Sequence, residues 1–279
     1  MNGKTVLVTG ATSGIGLEAS VQLAALGAHV AIVARNSEKG ERAVADIEAR
    51  SGSTRVSLFS CDMSSLAAVR ELARSVQTAH SRLDVLVNNA GSVSPTRQTT
   101  VDGFEQTFAV NHLAPFLLTN LLLDLVKRTT RARIVNVASE AHRSGTIDFD
   151  DLQFERGGYT GVRAYNRSKL ANILFTNELA RRLAGTSVTA NSLHPGVVAT
   201  NIWSRAPWYL QPIIFPLRLF MISPQRGGET IVYLASSADV EGKSGGYYVK
   251  NRLVPTTPAA ADAAAATKLW DLSERLVRL

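Results

Sequence analysis

The sequence predicts an α/β fold: a doubly wound (Rossmann), mainly parallel seven-stranded sheet with helices on both faces, in a single domain covering residues 1–279. Three observations point there. Short aliphatic runs alternate with helix-length amphipathic segments from end to end. The aliphatic runs are continuous rather than alternating, as in parallel strands buried on both faces. The first of them opens directly into a cluster of glycines.

The elements follow in order. Thr5 to Thr9 reads as a strand and Ile15 to Leu26 as a helix. His29 to Ala34 and Arg55 to Cys61 are strands, with the helix Glu38 to Ala49 between them. Leu66 to Ala79 is a helix, Leu83 to Asn88 a strand, and Gly103 to Arg128 a long helix. Arg133 to Ala138 is a strand, Ala164 to Leu183 a helix, and Ser187 to Leu193 a strand. Gln225 to Ala235 is a helix and Gly246 to Val249 the seventh strand. The Ala-rich run Ala259 to Ala266 starts the last helix.

Bulk properties narrow the function classes. With 45% hydrophobic residues the chain can bury a large core. Its net charge of +7 is spread without a run of five like charges, so no nucleic-acid partner is expected. The lone cysteine, Cys61, lies in an apolar run and reads as a core residue; it excludes an intrachain disulfide and fits a reducing, cytoplasmic location. No metal-ligand spacing is present. Met1 to Lys4 leads straight into a strand, so no signal peptide is expected. Leu113 to Val126 is interrupted by Pro115, Asn120 and Asp124, and Pro207 to Pro224 by Pro212, Pro216 and Arg218. Neither reads as a transmembrane segment.

The chemistry starts at Thr9-Gly10-Ala11-Thr12-Ser13-Gly14-Ile15-Gly16. A glycine-rich turn between a strand and a helix lets backbone N–H groups approach a phosphate at the helix N-terminus. The second strand then ends Val33-Ala34-Arg35-Asn36, where NAD-binding folds usually carry Asp or Glu for the ribose 2′-OH. A guanidinium there suits a 2′-phosphate, so NADP(H) is the expected cofactor.

Tyr165-Asn166-Arg167-Ser168-Lys169 places Tyr and Lys one helical turn apart on one face. Reducing a carbonyl requires a proton for the oxygen as hydride reaches carbon. A neighbouring ammonium and the oxidised nicotinamide's positive charge favour the phenolate form of a tyrosine and fit it for proton transfer, with an apparent pKa below that of free tyrosine expected in the pH profile. Ser139 follows a strand at its carboxyl end, where doubly wound sheets bind ligands, and its hydroxyl is placed to bond a substrate oxygen.

With these residues in view the chain resembles the short-chain dehydrogenase/reductase family over nearly its whole length. Thr9 to Gly16 is similar to the family's TGxxxGxG, and Asn88-Asn89-Ala90-Gly91 to its NNAG. Asp62 matches the acidic residue after the third strand that meets the adenine amino group, and Pro195-Gly196 followed by Thr200 the loop beside the nicotinamide. The resemblance implies a catalytic tetrad of Asn111, Ser139, Tyr165 and Lys169, with Asn111 holding a water on the proton route and Lys169 also holding the nicotinamide ribose. It implies cofactor contacts from Gly10, Ser13, Gly14, Ile15, Gly16, Arg35, Asn36, Asp62, Met63, Asn89, Ala90, Gly91, Tyr165, Lys169, Pro195, Gly196, Val198 and Thr200.

The insert Ala141 to Arg163, the segments Asn166 to Ala180 and Ser192 to Thr200, and the ending Lys268-Leu269-Trp270-Asp271 resemble the retinol dehydrogenase and protochlorophyllide reductase branch. That implies a small apolar carbonyl or alcohol as substrate. Many retinol-handling members carry Gly-His after Asn-His-Leu, where this chain has Ala114-Pro115. Two other functions stay open: reduction of a conjugated double bond, and an NADP-sensing binding protein without turnover. The aromatic stretch within residues 202–224 reads as a lid over the substrate, with a subunit contact or a peripheral membrane contact as alternatives. A homodimer or homotetramer is also open. Among the histidines, His142 and His194 flank the site loops, and His29 and His80 read as surface residues.

Pro115 carries one further expectation. It has no N–H for the carbonyl of Asn111, four residues back, so the long helix is expected to bend there and free that carbonyl.

Overall fold

The computed structural model describes residues 1–196 and 222–279. Eight strands form one sheet: β1 (Thr5–Thr9), β2 (His29–Ala34), β3 (Val56–Ser60), β4 (Val85–Asn88), β5 (Arg133–Val137), β6 (Thr189–His194), β7 (Tyr247–Val249) and β8 (Arg252–Leu253). Their spatial order is β3-β2-β1-β4-β5-β6-β7-β8. All pair in parallel except β8, which turns back antiparallel on β7. The sequence predicts seven strands; the eighth is a two-residue hairpin return. Its turn puts Lys250 and Asn251 at φ values of 49° and 62°, the two left-handed residues that a tight hairpin needs.

The helices are α1 (Gly14–Ala25), α2 (Ser37–Ser51), α3 (Leu66–Ala79), α4 (Gln106–Lys127), α5 (Gly161–Arg182), α6 (Pro224–Ser236), α7 (Pro258–Ala261) and α8 (Ala263–Val277). The strand period of two sorts the core. In β1, Val6 and Val8 join Val30, Ile32, Val85, Val87, Val135 and Leu193 under α1 and α6. Leu7 joins Ala31, Leu86, Ile134 and Ala190 on the opposite face, under α3, α4, α5 and α8. Cys61 belongs to this second core, and burial pushes its thiol up to about 12.

Helix α4 is long and apolar enough to cross a membrane by length and composition, yet 72% of that window is buried within the fold. It is not one uniform helix. Glu105 caps it by accepting from the N–H groups of Thr107 and Phe108 at 2.8 and 2.7 Å. Ala109–Leu113 then forms a π turn, in which the N–H of Ala114 reaches the carbonyl of Ala109 five residues back. Pro115 sits in the first turn of the α-helix that resumes. The irregularity of this helix is thus one inserted residue just ahead of Pro115. The Ala-rich run is likewise split: Asp262 interrupts it and caps α8 by accepting from Ala265 at 3.0 Å.

The sheet order reverses between β1 and β4. In doubly wound sheets the ligand crevice lies at such a switch point, beyond the carboxyl ends of the strands. Gly10, Asn89, Ser139 and Pro195 all follow carboxyl ends of strands.

Candidate active site

The glycine loop is built for close approach. A Cβ on Gly10 would lie 2.8 Å from the Ala90 Cα, and one on Gly16 2.6 Å from the Gly10 carbonyl oxygen. Gly10 and Gly14 have φ values of 66° and 59°, which favour glycine. Helix α1 starts at this loop with Ser13 as its N-cap, and that side chain accepts no capping bond. By contrast Asn36, Ser65, Thr160, Ser223 and Asp262 each cap their own helices. The uncapped N–H groups of α1 are what a dinucleotide phosphate would accept, so these residues fit the cofactor.

Asn89 locks the opposite wall. Its Nδ2 donates to the carbonyls of Thr9 and Gly10 at 2.8 and 3.0 Å. The hydroxyl of Thr9 accepts from the N–H groups of Asn89 and Ala90, both at 3.0 Å. Arg35 stands exposed at the end of β2. Asn36 is engaged by its oxygen, which accepts from the Lys39 N–H at 2.9 Å. Asp62 folds back on Ser64, accepting from its N–H and hydroxyl at 2.9 and 2.8 Å. Met63 is buried against Cys61. Pro195 and Gly196 close the crevice beyond β6, with Ile222 packed over Gly196. Val198, Thr200 and residues 202–221 of the expected lid lie outside the described residues.

The proposed tetrad is brought together. Asn111, on the π turn, accepts from the Ser92 N–H at 2.7 Å and donates to the Ser92 carbonyl and the Ser168 hydroxyl, both at 2.9 Å. Gly91, next in the NNAG segment, faces both Asn111 and Lys169: a Cβ there would sit 3.5 Å from Oδ1 of the first and 3.7 Å from Nζ of the second. Ser139 ends the β5 segment and its hydroxyl accepts from the Ala141 N–H at 3.2 Å. Lys169 is buried, donates to the Val137 carbonyl at 2.9 Å, and lies 5.4 Å from the centre of the Tyr165 ring.

Burial pushes the Tyr165 phenol up, and the Ser139 hydroxyl beside it pulls it partly back. Burial also pushes Lys169 down, to about 8. Burial is the larger of the two effects on the phenol, so its shift is upward.

Several supporting residues lie outside the set of site residues that the sequence predicts. Asn88 donates to Thr119 and Asn136 at 2.9 and 2.8 Å, and Asn136 donates to Thr176 at 2.9 Å. These buried amides tie β4 and β5 to α4 and α5. Arg167, inside the Tyr–Lys motif, donates to the carbonyls of Thr146, Asp151 and Leu152 and covers the Phe154 ring at 3.7 Å. It binds the polar insert to α5. His142 is fully buried, with Nδ1 2.7 Å from the Ser139 carbonyl; Glu140 accepts from the Tyr247 hydroxyl at 2.9 Å. His194 is buried, and His29 and His80 are only partly exposed, packed edge to face at 5.1 Å.

This geometry can be set beside known proteins. Residues 4–208 match the model of the short chain dehydrogenase family. The chain belongs to that family. This short-chain dehydrogenase is 43% identical to human retinol dehydrogenase 14, over all of this chain and 88% of the relative. It is 41% identical to human retinol dehydrogenase 13, covering 99% of this chain and 85% of the relative. Among solved structures, a protein from Mycobacterium paratuberculosis superposes with a TM-score of 0.82 at 35% identity, over 99% of this chain and 94% of the other. A blue fluorescent protein from a metagenomic library, solved with NADPH, has a TM-score of 0.70 at 28% identity, over 88% and 95%. The chain is thus an oxidoreductase of the short-chain dehydrogenase family, related to retinol dehydrogenases.

Proposed function

We propose that this short-chain dehydrogenase uses NADP(H) to interconvert an apolar aldehyde or ketone and its alcohol. One observation carries the reading: the Tyr165 phenol is enclosed beside the Ser139 hydroxyl, with the Lys169 ammonium 5.4 Å from its ring. The nicotinamide, when bound, supplies or accepts the hydride. Ser139 donates to the substrate oxygen and holds it near the phenol. Tyr165 gives that oxygen its proton in reduction and takes it back in oxidation. Lys169 stabilises the phenolate that remains and holds the nicotinamide ribose. Gly10, Ser13, Gly14, Ile15 and Gly16 would hold the pyrophosphate at the start of α1, and Arg35 would hold a 2′-phosphate. Asn89, Ala90 and Gly91 border the cofactor, Asp62 meets the adenine, and Asn111 supports the proton route.

The relationship to retinol dehydrogenases supports a lipophilic substrate; Ala114-Pro115 sets this chain apart within that group.

The experiment mixes the protein with NADPH and a panel of apolar aldehydes, ketones and enones, following NADPH absorbance. Oxidation with aldehydes or ketones is expected. Oxidation with enones alone would replace the reading with double-bond reduction. NADPH binding without oxidation would replace it with a sensing role.

A further inference from the structure

One side chain in the turn after Ser139 reaches back to the serine itself. Ser139 leaves β5 in extended backbone and opens the short 3₁₀ turn Glu140–Ser144. Its hydroxyl accepts from the Ala141 N–H at 3.2 Å, which leaves the hydroxyl's own proton to donate to a substrate oxygen. Its carbonyl accepts twice from a single residue. The backbone N–H of His142 donates from 3.1 Å, and the ring Nδ1 of His142 lies 2.7 Å away. A carbonyl oxygen only accepts, so Nδ1 carries a ring proton, and both lone pairs of that oxygen are in use.

His142 is itself held in place. The side chain is fully buried. Its ring meets Tyr247 of β7 edge to face, with ring centres 5.0 Å apart. The Tyr247 hydroxyl donates to Glu140 at 2.9 Å, and the other carboxylate oxygen of Glu140 pairs with Arg143. Strand β7 is therefore tied to the turn at residues 140 and 142. The far end of the turn rests on α5: a Cβ on Gly145 would lie 2.5 Å from the Asn166 carbonyl oxygen and 2.9 Å from the Leu170 Cβ. Asn166 follows Tyr165 directly. The turn thus spans from Ser139 to the helix that carries the tyrosine.

The ring bond is not needed to close this turn. The N–H groups of His142 and Gly145 close it already, on the carbonyls of Ser139 and His142. A leucine would fill the same dry space without the cost of burying a polar ring. What the imidazole adds is a second hold, from another direction, on the peptide that follows Ser139. One hydrogen bond leaves that peptide free to rock; two fix its plane.

We propose that His142 is a positioning residue for the reaction: its Nδ1–H fixes the Ser139 peptide and so holds the Ser139 hydroxyl where it meets the substrate oxygen beside Tyr165. A hydroxyl displaced by a fraction of an ångström still leaves the cofactor crevice intact, so its loss of aim falls on the chemical step.

The inference rests on the proposed role of Ser139, and its test separates the two. An asparagine amide stands in for Nδ1 of histidine, and leucine has a similar branched shape with no donor. H142N therefore keeps the bond to Ser139 and H142L loses it; both lose the ring. In the full-length, cofactor-free protein, amide hydrogen exchange is followed by NMR. The Ala141 N–H, which donates to the Ser139 hydroxyl, should exchange about tenfold faster in H142L than in wild type. Gly145, which closes the same turn without touching Ser139, should keep its wild-type rate, and H142N should match wild type at both positions. With NADPH and an apolar aldehyde, kcat of H142L should fall about tenfold with little change in NADPH affinity, and H142N should recover most of the rate. In an S139A background H142L should cost nothing further. Equal behaviour of H142N and H142L, equal acceleration of exchange at Ala141 and Gly145, or the same loss of rate with and without the serine would each overturn the proposal. Should H142L not fold, H142Q takes its place, because its amide stands where Nε2 did and misses the Ser139 carbonyl. A wild-type protein that oxidises NADPH with no carbonyl would overturn the proposed function, while the exchange would still report whether the ring holds the Ser139 peptide.

Discussion

The Lys169 ammonium stands 5.4 Å from the centre of the Tyr165 ring, and burial acts on both groups in opposite senses. The phenol is pushed up and the ammonium down to about 8. Tyr165 is thus an acid near neutrality, and Lys169 carries its full charge only below about pH 8. Tyr165→Phe keeps the ring and removes the proton. We expect NADPH affinity to hold, by fluorescence titration, while kcat falls by about 10²–10⁴-fold. A wild-type rate of reduction should decline as pH rises through about 8, where Lys169 loses the charge that stabilises the phenolate. A flat profile from pH 6 to beyond Lys169's titration, roughly two units further, would remove the lysine from this role.

The same buried ammonium destabilises the empty fold. Its folded-state pKa is lower than its unfolded one, so the unfolded chain binds more protons between about 8 and 10.5. Wild-type stability therefore rises with pH across that window. Lys169→Met should be inactive yet more stable at pH 7, by about 1–3 kcal/mol, in cofactor-free chemical denaturation. Its advantage should shrink as pH rises through the window. A variant less stable than wild type at pH 7 would show that the Val137 bond outweighs the burial cost.

Arg35 is exposed where NAD-binding folds carry a carboxylate. NADPH should bind more tightly than NADH, and Arg35→Asp should narrow or reverse the difference. Losing a charge-assisted bond of about 1.5–3 kcal/mol corresponds to roughly ten- to a hundredfold in Kd. Equal affinities for both cofactors in the native protein would assign the 2′-phosphate elsewhere.

Pro115 follows a π turn that carries Asn111 and His112. Pro115→Ala supplies the missing N–H and favours an ordinary α-turn, which would rotate Asn111 away from Ser92 and Ser168. Stability should stay within about 1 kcal/mol of wild type or rise. Turnover should slow, with a larger solvent isotope effect. Unchanged turnover and isotope effect would leave Pro115 as a packing residue.

The legible part of this protein is the part with local causes. The strands read as aliphatic runs because both faces of a parallel sheet are dry, and Gly10 and Gly16 read because a side chain there would strike Ala90 or the loop itself. Tyr165, Lys169 and Ser139 read because their chemistry requires those types at those places. What was not legible depends on partners far along the chain. His112 looks like any helix residue until Ser273, 161 positions away, meets it. Arg167 has its partners at Thr146 and Asp151 in the insert, which the sequence around it does not name. Strand β8 has no signal beyond Lys250-Asn251, a pair that adopts the left-handed turn without glycine.

Direct transfer of hydride is tested most plainly by isotope. Deuterium on the carbinol carbon of the product is measured by mass spectrometry after the protein is incubated with an apolar aldehyde and NADPH deuterated at the transferable position. We expect the alcohol to carry the deuterium with the wild-type protein and to be nearly absent with Tyr165→Phe. NADPH that binds while no carbonyl in the panel yields labelled alcohol would contradict the proposed reaction.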